Sequence, residues 1–240
     1  MSVLLETTPD GIHTYLDWVK DGLIWTLLLG LGGWIIALTV GTLVGIARTL
    51  NGRFWPTFGA AYVEIFRNIP LLVQMFFWYF IFPELVPTAF GDAIKRMPPP
   101  WASFVPALLC LGLYTATRVA EQIRAAIELQ SAGQREAAFA LGLSLPASYG
   151  LVILPQAFRT ALPTLTSEFM AIFKNTSVAL AIGLVELSAT ARAIGENTFR
   201  TFEAYGIVTI IYLVLALLVW ALMTSIEEKL RIPTHAAKSK

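Results

Sequence analysis

From Gly22 to Ala47 no side chain carries a charge, and the same holds from Ala204 to Ile226, giving uncharged runs of 26 and 23 positions. Both exceed the roughly 20 residues that a helix rising ~1.5 Å per residue needs to cross a hydrocarbon layer ~30 Å thick. Each run predicts a membrane-spanning helix. A third run of 21, Met97 to Thr117, opens on Met97-Pro98-Pro99-Pro100, so its helix is expected to begin near Ser103 and to continue past Thr117 to about residue 125. Two further stretches are apolar but not free of charge: Tyr62–Phe82 carries Glu64 and Arg67, and Leu162–Leu187 carries Glu168, Lys174 and Glu186. A charge at the centre of a span costs roughly 2.5–3.5 kcal/mol, which flanking Leu, Ile and Phe offset if the charge faces protein or water. The pattern therefore predicts an all-α integral membrane protein, one transmembrane domain over 1–240 with about five spans: 22–47, 62–82, 103–125, 162–187 and 204–226. The loop 126–160 is too polar to insert.

Composition agrees, with 56% hydrophobic residues, 14% charged and a mean hydropathy of +0.67, against about 25% charged in soluble domains. The first 21 residues hold Glu6, Asp10, Asp17 and Asp21 against Lys20 alone, and the apolar run that follows is too long for a signal peptide. The first helix is expected to stay. Cys110 is the only cysteine and lies inside the third span, so no intrachain disulfide is expected. A net charge of +1 gives no argument for a nucleic-acid partner, and no cofactor or metal is expected. Trp25, Trp78, Trp101 and Trp220 fall near span ends, as interfacial residues do, and Gly41-Thr-Leu-Val-Gly45 offers a small-xxx-small packing face.

Five spans place the termini on opposite sides and sort the remaining segments into two sets. The N-terminus with loops 83–102 and 188–203 holds Lys20, Lys95, Arg96, Arg192 and Arg200. Loops 48–61 and 118–160 with the C-terminus hold Arg48, Arg53, Arg118, Arg124, Arg135, Arg159, Lys229, Arg231, Lys238 and Lys240. The excess of positive charge makes the second set cytoplasmic, with the N-terminus outside. No internal repeat is visible, and an odd number of spans does not split into equal inverted halves, so a second chain is needed to enclose a pathway.

Within the cytoplasmic loop, Gln134-Arg-Glu-Ala-Ala-Phe-Ala-Leu-Gly142 reads as a short helix ending at its glycine, and Ser144 or the turn before Pro146 can begin another. Ala137, Ala138 and Ala140 let another backbone approach, Phe139, Leu141 and Leu143 offer apolar anchors, and Glu136 sets a charge near the helix start. Such a helix suits the groove of a partner, though the same composition also suits an amphipathic helix resting on lipid.

The spacing Glu136-Ala137-Ala138-x3-Gly142-x9-Val152-x-Leu154-Pro155 resembles the signature loop of the permease subunits of bacterial ABC importers, with Val152 where that family usually has Ile. Phe66-Arg-Asn-Ile-Pro-Leu-Leu-Val-Gln74 with Phe76-Phe-Trp-Tyr79, Ala120-Glu-Gln-Ile-Arg124 and Lys174-Asn-Thr-Ser177 resemble its polar amino-acid branch, with Asn175 where relatives often carry Asp. Together these segments cover most of residues 20–230. The resemblance implies a multi-pass protein of the bacterial cytoplasmic membrane. It also implies partners: a dimer of ATP-binding subunits docked beneath, a second permease chain, identical or paralogous, and an extracytoplasmic solute-binding protein, all around a chain embedded in membrane lipid. Glu136, Ala137, Ala138, Gly142, Leu154 and Pro155 would then carry the coupling contact. The chain has no Gly-x4-Gly-Lys-Ser/Thr phosphate loop, so ATP hydrolysis is expected in a partner and no catalytic residue here.

Among the ionisable residues, Glu64 and Arg67 are three apart and share a helix face, as do Arg118, Glu121 and Arg124. With Asn68, Glu168 and Lys174 they are the candidate lining of a substrate pathway, set against a purely structural or interfacial role. Glu168 and Lys174, roughly 9 Å apart along a helix axis, are not expected to pair. A dicarboxylic amino acid needs an extra cation. Arg118 is the candidate, because Tyr114-Thr-Ala-Thr-Arg118-Val-Ala-Glu121 is similar to the glutamate/aspartate permeases. A secondary carrier would use the same charges without ATP. A membrane enzyme finds no support: His13 and His235 lie at opposite ends, Cys110 is alone, and neither His-Glu-x-x-His nor Gly-x-Ser-x-Gly occurs.

Overall fold

The computed structural model describes residues 2–130 and 132–230. Arg231, His235, Lys238 and Lys240, used above, lie outside the described residues, and so does the side chain of Arg135. The helices are α1 (Tyr15–Ala47), α2 (Phe54–Asn68), α3 (Leu71–Phe76), α4 (Phe82–Leu85), α5 (Thr88–Lys95), α6 (Trp101–Glu128), α7 (Ala132–Ala140), α8 (Leu145–Ser148), α9 (Leu154–Asn175), α10 (Leu187–Thr198) and α11 (Thr201–Leu230). π turns at Phe77–Ile81 and Tyr149–Ile153 join α3 to α4 and α8 to α9, and a 3-10 segment, Thr176–Ile182, extends α9. Three helices are long and apolar enough to cross a membrane, or five spans if each of two bent pairs counts as one.

Helix α6 is the hub. Over its most apolar window 56% of residues are buried, against 28% in α1 and 17% in α11, so the rest of the chain leaves most of α11 uncovered. The α1/α6 contact follows from glycine spacing. Gly33, Ala37, Gly41 and Gly45 line one stripe of α1, and a Cβ on Gly41 would stand 2.6 Å from Val119 Cβ and 2.8 Å from the Ala116 carbonyl. The Gly41-x3-Gly45 motif is thus a contact inside the chain, where two backbones meet too closely for any side chain. Leu29, Leu111, Phe169, Ile172 and Phe173 form one core between α1, α6 and α9. Tyr15, Val19, Leu187 and Ile194 form another where α1 meets α10 and α11.

Two expected spans differ from the sequence reading. The stretch 62–82 is not one helix: α2 and the segment Leu71–Leu85 meet at 102°. Pro70 causes the break, because it pushes Ile69 into extended backbone (φ −93°, ψ 128°) and has no N–H to offer the Phe66 carbonyl. The Gln74 amide fills that role, donating to Phe66 O at 2.6 Å and Ile69 O at 2.8 Å. The stretch 162–187 also ends early. Gly183, at φ +81°, closes the helix in the left-handed region, and the chain restarts as α10 at an angle of 51°. Loop 188–203 therefore contains a helix, and Glu186 caps α10 instead of lying in a span: its carboxylate accepts from the N–H groups of Ser188 and Ala189 at 3.0 and 2.9 Å. The third span begins at Trp101, directly after Pro100, two residues before the expected Ser103.

Candidate functional site

The loop 126–160 folds as the helix pair expected. Helix α7 ends on Gly142 at φ +79°, where Leu143 N–H reaches Ala138 O at 3.1 Å and Gly142 N–H reaches Phe139 O at 2.9 Å. This paired closure needs a left-handed residue, hence the glycine. Ser144 and Pro146 then open α8. Glu136, Ala137, Ala140 and Leu141 face solvent, whereas Ala138 is buried within the chain and supports the element from beneath. Leu154 and Pro155 lie in the first turn of α9.

Phe139, Leu145 and Tyr149 border a cavity of about 260 Å³ with Thr49, Leu50, Asn51 and Trp55 from the segment after α1. The Tyr149 and Thr49 hydroxyls are 2.9 Å apart. The two basic loops therefore share one end of the bundle. At the other end Arg200 bonds Glu6 at 2.8 Å, joining the N-terminus to the α10/α11 junction. These contacts keep loop 48–61 beside loop 126–160 and the N-terminus beside loop 188–203.

The candidate pathway residues fall into separate groups. At the end of α2, just before the Pro70 elbow, Glu64 accepts from Arg67 at 3.2 Å and from Asn68 at 3.0 Å, all three exposed. Arg118 does not join Glu121 on its own helix. It reaches Glu168 of α9 at 3.6 Å, beside the Tyr114 hydroxyl at 3.4 Å, and Gln122 also donates to Glu168 at 3.4 Å. Glu121 is instead shared between Arg48, which follows the last residue of α1, at 2.5 Å, and Arg124, at 3.0 Å, while Arg124 also pairs with Glu128 at 2.6 Å. Lys174 stands apart, exposed in the last turn of α9, where a cation complements the helix dipole.

The two carboxylate sites differ in character. Glu121 has two cations and its nearer one, Arg48, is 15% exposed, so this is a filled structural knot. Arg118 is 48% exposed over a largely enclosed Glu168. Its guanidinium, with five donors and one distant carboxylate, can still take a second anion.

Sequence reasoning missed Arg48 and Gln122 as partners, because their pairings cross between helices. It also missed the Glu186 cluster, in which Tyr212 of α11 donates to the fully buried carboxylate at 2.7 Å and the Thr26 hydroxyl of α1 accepts from Leu187 N–H at 3.1 Å. The local sequence did not mark it, because glutamate is not among the residues that ordinarily cap a helix start.

Residues 37–232 match the family model described as "Binding-protein-dependent transport system inner membrane component". The chain is 42% identical to the glutamate/aspartate import permease protein GltJ of Escherichia coli over 232 residues, 96% of this chain and 94% of that one. It is 34% identical to the glutamine transport system permease protein GlnP of Escherichia coli over 87% of this chain and 90% of that one. Among solved structures, an amino acid ABC transporter crystallised with histidines aligns with a TM-score of 0.73 at 29% identity, covering 90% of this chain and 95% of that one. The inward-facing MetNI methionine ABC transporter shares the fold, with a TM-score of 0.67 at 18% identity over 94% and 100% of the two chains. The chain accordingly belongs to the family of inner-membrane components of binding-protein-dependent transport systems.

Proposed function

We propose that this chain is the translocating subunit of an ATP-driven importer of dicarboxylic amino acids, glutamate and aspartate, with Arg118 contributing the cation that a second substrate carboxylate requires. The single observation that carries this reading is the Arg118 guanidinium: half exposed, on the central helix, and held by Glu168 only at 3.6 Å. The 42% identity to a glutamate/aspartate permease across 96% of the chain supports the same substrate class. Glu168, Gln122 and Tyr114 orient the cation. Glu64, Arg67, Asn68 and Lys174 supply further polar lining where α2 and α9 approach their breaks.

Energy enters from outside the chain. The family works with a binding protein and ATP-binding subunits, and a second permease chain completes the pathway. In this reading the α7 element, with Glu136 and Ala137 outward, Ala138 beneath and Gly142 fixing the turn, docks on an ATP-binding subunit in the cytoplasm, and Leu154 and Pro155 pass its displacement into α9. The N-terminus is then extracytoplasmic and the C-terminus cytoplasmic.

The test is glutamate uptake and glutamate-stimulated ATP hydrolysis by the reconstituted complex. Arg118→Ala in a correctly assembled complex is expected to lose glutamate transport, and wild-type uptake would remove Arg118 from the pathway. Gly142→Asp is expected to uncouple hydrolysis from solute, and unchanged stimulation would overturn the docking assignment. Uptake without nucleotide would identify a secondary carrier instead.

A further inference from the structure

On the side of α9 turned away from Glu168 lies a cavity of about 340 Å³ that the transport reading does not use. Its lining includes Gln130 at the end of α6, Gln156, Arg159 and Thr160 of α9, and Glu227 and Leu230 of α11. Arg159 precedes Glu168 by nine residues, which is two and a half helical turns, so the two side chains leave α9 on opposite faces and ~13–14 Å apart along the axis. The cavity therefore does not continue the Arg118–Glu168 site.

Its chemistry is mixed in a particular way. Among the described residues neither Arg159 nor Glu227 makes an ion pair, although both border the same space. A guest that pairs with both side chains carries an anion for Arg159 and a donating cation for Glu227.

The surroundings select the guest. The cavity sits at the α7 end of the bundle, where α6 finishes and α9 begins, against an apolar helix that the rest of the chain leaves mostly uncovered. Trp220 lies seven residues before Glu227, two turns along the same face, and is 53% exposed. An apolar track thus runs from the cavity along α11 toward the middle of the membrane. A soluble zwitterion would leave that track unused.

We propose that this cavity seats the headgroup of a phosphoethanolamine lipid, its phosphate on Arg159, its ammonium on Glu227, and its acyl chains along the α11 face that carries Trp220. The lipid bridges α9 to the end of α11.

The experiment uses the full chain purified with its partner subunits and equilibrated with vesicles of equal parts dioleoyl-phosphatidylethanolamine, -phosphatidylglycerol and -phosphatidylcholine. Lipid retained per chain through detergent washing is then counted by mass spectrometry. Wild type is expected to retain phosphatidylethanolamine over phosphatidylglycerol by about tenfold, and Arg159→Gln and Glu227→Gln are each expected to remove about that factor. Arg53→Gln, on an exposed arginine outside the cavity, leaves retention unchanged. Glu227→Lys is expected to turn the preference toward phosphatidylglycerol, a gain that misfolding does not produce, and it decides the matter if Arg159→Gln fails to assemble. Retention in the ratio supplied means adventitious lipid only and overturns the proposal. So does full retention in assembled Arg159→Gln, or displacement of the lipid by free glutamate.

Discussion

Arg118 reaches across to Glu168 on α9 at 3.6 Å and leaves Glu121, three residues along its own helix, to Arg48 and Arg124. Two carboxylates on the flanks of one helix thus hold unequal positions. Glu121 neutralises two cations of the structural core, while Glu168 attends one half-exposed guanidinium. Removing Glu121 should accordingly cost more. Glu121→Gln is expected to destabilise the protein by roughly 2–4 kcal/mol, because Arg48 is left largely enclosed without its carboxylate. Glu168→Gln is expected to cost about 1 kcal/mol or less. Thermal unfolding of the purified variants in one detergent checks the order, and equal or reversed losses would contradict it.

The glycine stripe of α1 yields a contrast between two glycines. At Gly41 a side chain has nowhere to go, since Val119 and the Ala116 carbonyl both lie under 3 Å from the place its Cβ would take. Gly206 of α11 has nothing within 4 Å. Gly41→Val is expected to separate α1 from α6 and to cost at least the ~1–3 kcal/mol of an overpacked core. Gly206→Ala is expected to stabilise by about 0.5–1 kcal/mol, the helix-interior difference between the two residues. Yield and melting temperature of the two variants should move in opposite directions.

Glu186 is wholly buried and receives three donors: the N–H groups of Ser188 and Ala189 and the Tyr212 hydroxyl. Tyr212 ties α11 to the restart of the broken helix, and its oxygen also lies 3.3 Å from Ser188 Oγ. Tyr212→Phe keeps the ring and deletes only the hydroxyl. The expected loss is about 1–3 kcal/mol, the range for a buried charged acceptor deprived of a donor. Tyr205→Phe, at an exposed position of the same helix, is expected to be neutral in the same melting assay.

Outside the membrane, the N-terminal turn carries an acid-base pair. The Asp10 carboxyl is held well below its ordinary value of 3.8 by bonds from Thr8, from the His13 ring and from the Ile12 and His13 N–H groups. His13 is raised above 6.5 by its bond to Asp10 and then by that residue's charge. A raised histidine contributes order below its unfolded value and loses it as pH rises through the folded one; a depressed carboxylate contributes above 3.8 and loses it as pH falls. The turn should be best ordered between pH 3.8 and 6.5. Titration of the His13 ring protons by NMR should give a midpoint above 6.5 in wild type and a lower one in Asp10→Asn. Identical midpoints would rule out the pairing.

The spans were legible to the extent that lipid imposes them. A charge-free run the length of the hydrocarbon layer identifies α1, α6 and α11 because a helix is the structure in which one segment satisfies its own backbone there. The same window cannot see Pro70, since apolar residues on both sides of a bend read as one run. Gly183 was hidden likewise, its left-handed φ needing coordinates to separate it from the glycines that merely pack. The α7 element was legible in detail because caps are local: Gly142, Ser144 and Pro146 each act within four residues. Pairings were legible only within a helix. Glu64–Arg67 and Glu121–Arg124 follow from spacing, whereas Arg48–Glu121 and Arg118–Glu168 depend on which helices become neighbours, and side-chain periodicity does not say that.

The elbow at Pro70 makes two distant-looking residues into one unit of inheritance. The proline withholds an amide hydrogen from Phe66, and four residues later Gln74 returns one from its side chain. Alanine at position 70 would restore the backbone donor and leave the glutamine redundant. Leucine at position 74 would strand two carbonyls, those of Phe66 and Ile69. Neither position is free to drift while the other stays, so descendants that keep the corner should keep both residues, and those that straighten it should surrender both.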